Sequence, residues 1–418
     1  MSGMKRNVVL ALAVAAAVAA PAAFATNGYF AHGYGVKAFG MAGAGVAYPQ
    51  DSLAAATNPA GMVMVGARKD VGVQLFNPSP RSQESVGGSL STGKNESDGD
   101  FFFVPEGGFN TMLDANTSIG VSVYGNGGMN TEYKTNTFLG LGAGTSPLGV
   151  DLAQLIIAPT WSTKLNKDNA FGASLLLGYQ RFKATGLEAF GGNSTDSTKL
   201  TNNGYDSATG TGVRIGWTGN VSPTVTLGAT YASKIAMSKF DKYKGLFAEQ
   251  GDFDIPANYA VGMAIKMNPK MNVALDVQKI EYGSVKSIAN PLDAAPSGAT
   301  TLGNDGGAGF GWKDQTVVKL GFDYKYSNEW MLRAGWNHGS SPIPDSQLLF
   351  NIIAPAVVED HLTLGATMHT GKSSEVNFAY MHAFEGKQTG PVLAAFGGGT
   401  SELKMSQNAF SMSWGWGF

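Results

Sequence analysis

The chain contains no cysteine, which excludes disulfides, thiolate nucleophiles and cysteine-ligated metal sites. Charge is scarce too. Asp, Glu, Lys and Arg together reach 14%, against about 25% in ordinary soluble domains. Beyond the first 25 residues no run approaches the roughly 20 apolar residues of a spanning helix. The five histidines, His32, His338, His361, His369 and His382, show no metal-ligand spacing. No Gly-x-Ser-x-Gly nucleophile elbow lies in a strand–turn–helix setting. These absences argue against an enzyme and imply no cofactor.

What is present begins with an export signal. Lys5 and Arg6 precede an apolar stretch over 8–20, and Ala23-Phe24-Ala25 offers small residues at a cleavage site. The expectation is a signal peptide over 1–25 and a mature chain starting at Thr26. Without Lys5 and Arg6 the balance is 27 basic against 31 acidic residues, a net charge of −4. That does not suggest a nucleic-acid partner. Glycine is abundant, 57 of 418, and aromatics reach 11%.

From Arg68 onward the sequence alternates with period two, the strand signature. In 224–231, Val225, Leu227, Ala229 and Tyr231 interleave with Thr224, Thr226, Gly228 and Thr230. A greasy face opposite a small or polar one suits a soluble sandwich or a lipid-facing barrel. The turns discriminate. Short polar connections at 113–117, 166–169, 220–223, 268–270, 327–329 and 371–373 alternate with long ones. The long ones cover 78–99, 127–150, 186–208, 239–251, 286–311, 339–356 and 385–403. Tight turns on one side and long loops on the other mark an outer-membrane barrel. This punctuation defines about fourteen strands, an all-β antiparallel transmembrane barrel over 68–418.

Hairpins centred on Asn328, Lys270 and Lys372 each bring apolar residues opposite one another. The expected pairs include Phe322 with Ala334, Ile265 with Leu275, and Leu364 with Tyr380. The last strand alternates Phe410, Met412, Trp414, Trp416 and Phe418 with small residues. Aromatics at a strand end suit an interfacial girdle.

Residues 26–67 do not alternate. They are crowded with Gly and Ala and end in Asn58-Pro59-Ala60-Gly61. So short a segment cannot support a core of its own, and the barrel lumen is the available space. Lysine and arginine at lumen-facing positions, Arg214, Lys266, Lys319 and Arg333, could meet an acidic substrate. The register sets Arg333 opposite Asp323, which predicts a cross-strand ion pair, and leaves Lys319 opposite Asn337.

The Gly/Ala-rich segment with Gly40, Gly43, Gly45, Ala47, Asp51, Asn58, Pro59 and Ala60, followed by fourteen strands, resembles the FadL family. That family comprises long-chain fatty acid and hydrocarbon channels. The resemblance implies that 26–67 is a hatch plugging the lumen, held by Gly40, Gly43, Gly45, Asp51, Asn58, Pro59 and Ala60. It implies a ligand pocket beside Tyr29 and Phe30, with Lys319 as a candidate cation. A terminal Phe resembles the signal read by barrel-assembly machinery; outer-membrane lipid and lipopolysaccharide are the expected surroundings. The family also has a side opening at a third-strand kink. Here strand 118–124 runs into Gly125, Gly127 and Gly128, and such a run weakens pairing and allows an inward bulge at positive φ. The expected function is passive uptake of hydrophobic small molecules. A general diffusion porin and a barrel-embedded enzyme are the alternatives.

Overall fold

A computed structural model describes residues 27–90, 93–98 and 101–418; the leader and Thr26 lie outside the described residues. Fourteen long strands form the wall. They are β1 Arg68–Asn77, β2 Phe102–Met112, β3 Thr117–Tyr133, β4 Leu148–Lys164, β5 Asn169–Thr185, β6 Asp206–Ser222 and β7 Val225–Ala232. There follow β8 Asn258–Asn268, β9 Met271–Ile280, β10 Gln315–Lys325, β11 Trp330–Gly339, β12 Asp360–His369, β13 Ser374–Pro391 and β14 Thr400–Gly417. Each pairs antiparallel with its chain neighbours, and β1 pairs with β14 from Arg68↔Gly417 to Asn77↔Asn408, closing the barrel. Short strands Arg81–Val86, Gly93–Glu96 and Ala236–Met237 extend it. Strands β3 to β6 have 17 residues, roughly 55 Å at about 3.3 Å per residue. Spanning takes about 9–11 residues, so these strands rise well beyond the bilayer.

The alternation sorts as a membrane wall requires. Trp161, Leu175, Val213, Ile215, Val261, Leu364 and Trp414 are exposed, whereas Ser162, Ser174, Arg214, Thr363 and Ser413 are buried. The apolar side faces lipid and the small, polar side faces in. Two hairpins follow the expected register: Phe322 faces Ala334 and Tyr324 faces Leu332, and Ala366 faces Phe378 and Leu364 faces Tyr380. The third slips by two residues. Ile265 faces Val273 and Met263 faces Leu275: the turn sits half a residue earlier, with Asn268 opposite Met271, and a bulge between Lys266 and Asn268 supplies the rest of the shift. A shift of two keeps each side chain on its face.

Segment 27–67 folds into short helical pieces, Val36–Phe39, Ala54–Ala56, Pro59–Gly61 and Met62–Val65, packed against inward-facing wall residues. Wall glycines make the room. A Cβ on Gly172 would lie 2.4 Å from Pro59, on Gly228 2.5 Å from Val46 O, on Gly335 2.5 Å from Met41, and on Gly365 3.1 Å from Gly40. Main chain and wall are closer than any larger side chain permits.

Candidate functional site

The site begins where β3 leaves β2. The two strands pair only from Met112↔Ser118 to Gly107↔Val123, while β2 continues along β1 to Phe76↔Phe102. Beyond Val123, β3 stays with β4 but takes up one extra residue, Asn126, between Gly125↔Leu155 and Gly127↔Gln154. Its freed edge turns to the N-terminal segment instead. Phe30 bridges Gly127, Gly128 N donates to Tyr29 O at 2.9 Å, and Ala31 N donates to Asn126 O at 3.0 Å. The strand therefore continues to Tyr133, past the point where the sequence suggests a loop. None of Gly125, Gly127 and Gly128 has positive φ. At Gly127 the need is space, since a Cβ would stand 1.8 Å from Tyr29 O.

Asn27–Phe30 is held on its other side by Tyr282, from the long loop after β9. The Tyr282 hydroxyl donates to Asn27 O at 2.5 Å and accepts from Tyr29 N at 3.2 Å. Burial pushes this phenol well above its ordinary pKa, so it stays a neutral donor. Around it the rings close: Tyr29 lies 5.2 Å from Tyr282 edge-on, 5.9 Å from Trp312 and 6.1 Å from Phe253. Two apolar cavities flank this cluster. One, about 10 Å³, touches Gly28, Phe76, Arg81, Met129, Trp312 and Met405. The other, about 20 Å³, is lined by Phe182, Phe190, Phe247, Phe310, Phe350 and neighbours. The sequence singles out Tyr29 and Phe30 of this aromatic cluster but not Tyr282, Trp312 and Phe253, which lie in loops without periodic signal.

Asn58, Pro59 and Ala60 form one anchored turn. Asn58 Oδ1 accepts from Ala60 N at 3.1 Å, and Nδ2 donates to Val46 O at 2.7 Å and to Trp217 O of β6 at 2.9 Å. The turn sits over the paired glycines Gly172 and Gly216. Gly43 has φ 80° and a Cβ there would strike His32 O at 1.8 Å. Gly40 abuts Gly365, whereas Gly45 meets only ordinary contacts and instead donates its N–H to Asp276 Oδ2 at 2.7 Å. Asp51 Oδ1 accepts from Leu53 N at 3.0 Å. Burial and then Asp70 push its carboxyl up to about 6.

The inward cations hold protein rather than standing free. Lys319 Nζ donates to His32 O at 3.0 Å, and Asp276 faces it from β9, an acidic neighbour the β10–β11 hairpin alone could not reveal. Arg214 donates to the carbonyls of Ala55 and Ala56. Asp323 does stand opposite Arg333, yet the expected ion pair is not made. Arg333 donates to Gln50 Oε1 at 3.0 Å and Thr367 Oγ1 at 2.7 Å, while Asp323 accepts from Tyr48 and Asn272. The N-terminal segment supplies nearer partners to both. Lys266 is exposed near the short-turn end. Lys37, the segment's one lysine, pairs with Glu375 of β13, which also accepts from Arg68 at 2.8 Å.

The fold has close counterparts. The P. putida toluene transporter TodX superposes with TM-score 0.71 at 19% identity, covering 93% of this chain and 99% of that one. A Pseudomonas aeruginosa FadL homologue gives 0.69 at 17%, covering 94% and 100%. The Ralstonia pickettii toluene transporter TbuX gives 0.65 at 18%, covering 93% and 99%. No curated protein matches the sequence. A family model described as "Outer membrane protein transport protein (OMPP1/FadL/TodX)" matches residues 12–409, and with its closed wall of fourteen strands this chain belongs to that family of outer-membrane transport channels.

Proposed function

We propose that the protein is a passive outer-membrane channel for hydrophobic small molecules. Its residues 1–25 serve as signal peptide, 26–67 as a hatch and 68–418 as the barrel. Substrate enters from the long-loop side, rests among apolar side chains beside Tyr29 and Phe30, and leaves sideways where β3 parts from β2. The observation that carries this reading is the loss of β2–β3 pairing after Val123 next to the N-terminal segment. Each buried CH₂ gains about 0.8 kcal/mol, enough to draw a greasy solute from dilute solution without an energy source. Release into lipid keeps it out of water.

Uncharged hydrocarbons fit better than free carboxylates. The larger cavity has no charged lining side chain among the described residues, and an unpaired buried carboxylate is strongly disfavoured. Lys319 is assigned to holding the N-terminal segment through His32 O. A disulfide placed between β2 and β3 tests the reading: cross-linking should abolish hydrocarbon uptake by cells and reduction should restore it. Uptake undiminished by the cross-link refutes lateral exit.

A further inference from the structure

Beyond the last β2–β3 pair, Gly107↔Val123, the next residues of the two strands are Glu106 and Tyr124. The N-terminal segment crosses between the strands at this point. On the β2 side, Gly35 N donates to Glu106 Oε2 at 3.0 Å. On the β3 side, the Tyr34 ring lies 4.7 Å from the Tyr124 ring, and its hydroxyl donates to Asn126 O and Oδ1, both at 3.2 Å. Two consecutive residues thus tie the parted strands together across the gap. Asn126 is the extra residue of β3, with no opposite number in β4, so ladder pairing does not fix where its side chain stands.

A row of amides fixes it instead. Asn126 Nδ2 donates to Gln154 Oε1 of β4 at 2.9 Å, Gln154 Nε2 donates to Gln180 Oε1 of β5 at 3.1 Å, and Gln180 Nε2 donates to Phe253 O at 2.8 Å. The three amides are at most 1% exposed. Inward residues beside them on β4 and β5 include Leu152, Ile156, Leu176 and Phe182, all buried and apolar. Amides in such surroundings are costly unless bonded. Here each accepts from one neighbour and donates to the next, which leaves the row a single arrangement. It runs from Tyr34 to the long loop between β7 and β8, where the Phe253 ring lies 6.1 Å from Tyr29.

We propose that Tyr34 seals the side exit and that Asn126, Gln154 and Gln180 are the positioning residues that hold the seal shut. The proposal rests on the channel reading and assigns the closed state of its exit. Cutting the row at Gln154 frees Asn126 to turn away, and the Tyr34 hydroxyl then loses its side-chain acceptor.

Because the chain has no cysteine, an introduced one reports on the seal without background. Ala31 is buried and donates its N–H to Asn126 O at 3.0 Å. In full-length Ala31→Cys protein in nanodiscs, the rate of maleimide labelling measures how often the segment leaves β3. Adding Gln154→Met, which keeps length and volume but not the hydrogen bonds, should raise that rate about tenfold, the equivalent of about 1.4 kcal/mol. Tyr34→Phe, which keeps the ring, should raise it as well. Thr160→Val is the control: its hydroxyl meets Ser174 across the same two strands at 2.7 Å without touching the row, and labelling should stay at the parent rate. Initial uptake of p-xylene by cells should rise in Gln154→Met and Tyr34→Phe. Labelling unchanged in both, or raised equally by Thr160→Val, overturns the seal and leaves the channel reading intact. Faster labelling without faster uptake shows a segment that moves but seals nothing, and overturns it too. No p-xylene uptake by the parent protein overturns the channel reading and the seal with it.

Discussion

Replacing Gly216 by alanine should open the channel. The added methyl would stand 1.9 Å from Asn58 Oδ1 and 2.9 Å from Asn58 Cγ and Pro59 Cδ. Real contacts to Cβ stay beyond 3.0 Å, so Asn58 must shift by about 1 Å or more. Neither side can yield easily: Gly216 is fixed in the ladder opposite Gly172 and Thr230, and Asn58 is tied by three hydrogen bonds. Losing two of them with buried partners left behind costs about 2–4 kcal/mol. That raises the undocked fraction of the N-terminal segment roughly 30- to 1,000-fold, at 1.4 kcal/mol per tenfold. Single-channel recording in planar bilayers should show ion-conducting openings that the parent protein rarely makes. Gly192→Ala, where no atom lies within 4 Å of the new carbon, is the control and should be silent. A Gly216→Ala channel that inserts normally and conducts no more than its parent would refute the claim that this turn holds the lumen closed.

Deleting residues 26–60 should give a permanently open, larger pore, measured as bilayer conductance; an unchanged conductance means the segment blocks nothing. Gly127→Val alone should expel Tyr29 O from β3 and weaken hydrocarbon binding. Gly125→Val with Gly128→Val, which leaves Gly127 intact, should retain binding and lower uptake, and normal uptake would count against the lateral exit. Asp51 has a folded pKa raised to about 6, above an unfolded value near 3.9. Its contribution to docking is therefore full below about pH 4 and lost as pH rises through 6. Asp51→Asn should reduce pH 7 leak conductance and flatten its change between pH 4 and 7. N-terminal sequencing of the outer-membrane fraction should find Thr26 first, and a retained Met1 would rule out cleavage.

Period-two alternation and the rhythm of short and long connections were enough to give fourteen strands, because a wall between lipid and lumen imprints its two faces on every second residue. The closing strand from Phe410 to Phe418 and the non-alternating stretch before Arg68 were legible for the same reason. Hairpins on Asn328 and Lys372 were readable from local pairing; the one on Lys270 was not, since an earlier turn and a one-residue bulge together shift the register by two, which leaves every side chain on its face. The glycine run after Tyr124 marked the place where β3 departs, but not its cause. Gly127 is there because the Tyr29 carbonyl, 98 residues away in the chain, needs the space. The partners of Lys319 and Arg333, and the convergence of Tyr282, Trp312 and Phe253 on Tyr29, were decided by tertiary structure alone. Such contacts join segments separated by hundreds of residues, and a one-dimensional pattern records which face a residue takes but not what meets it there.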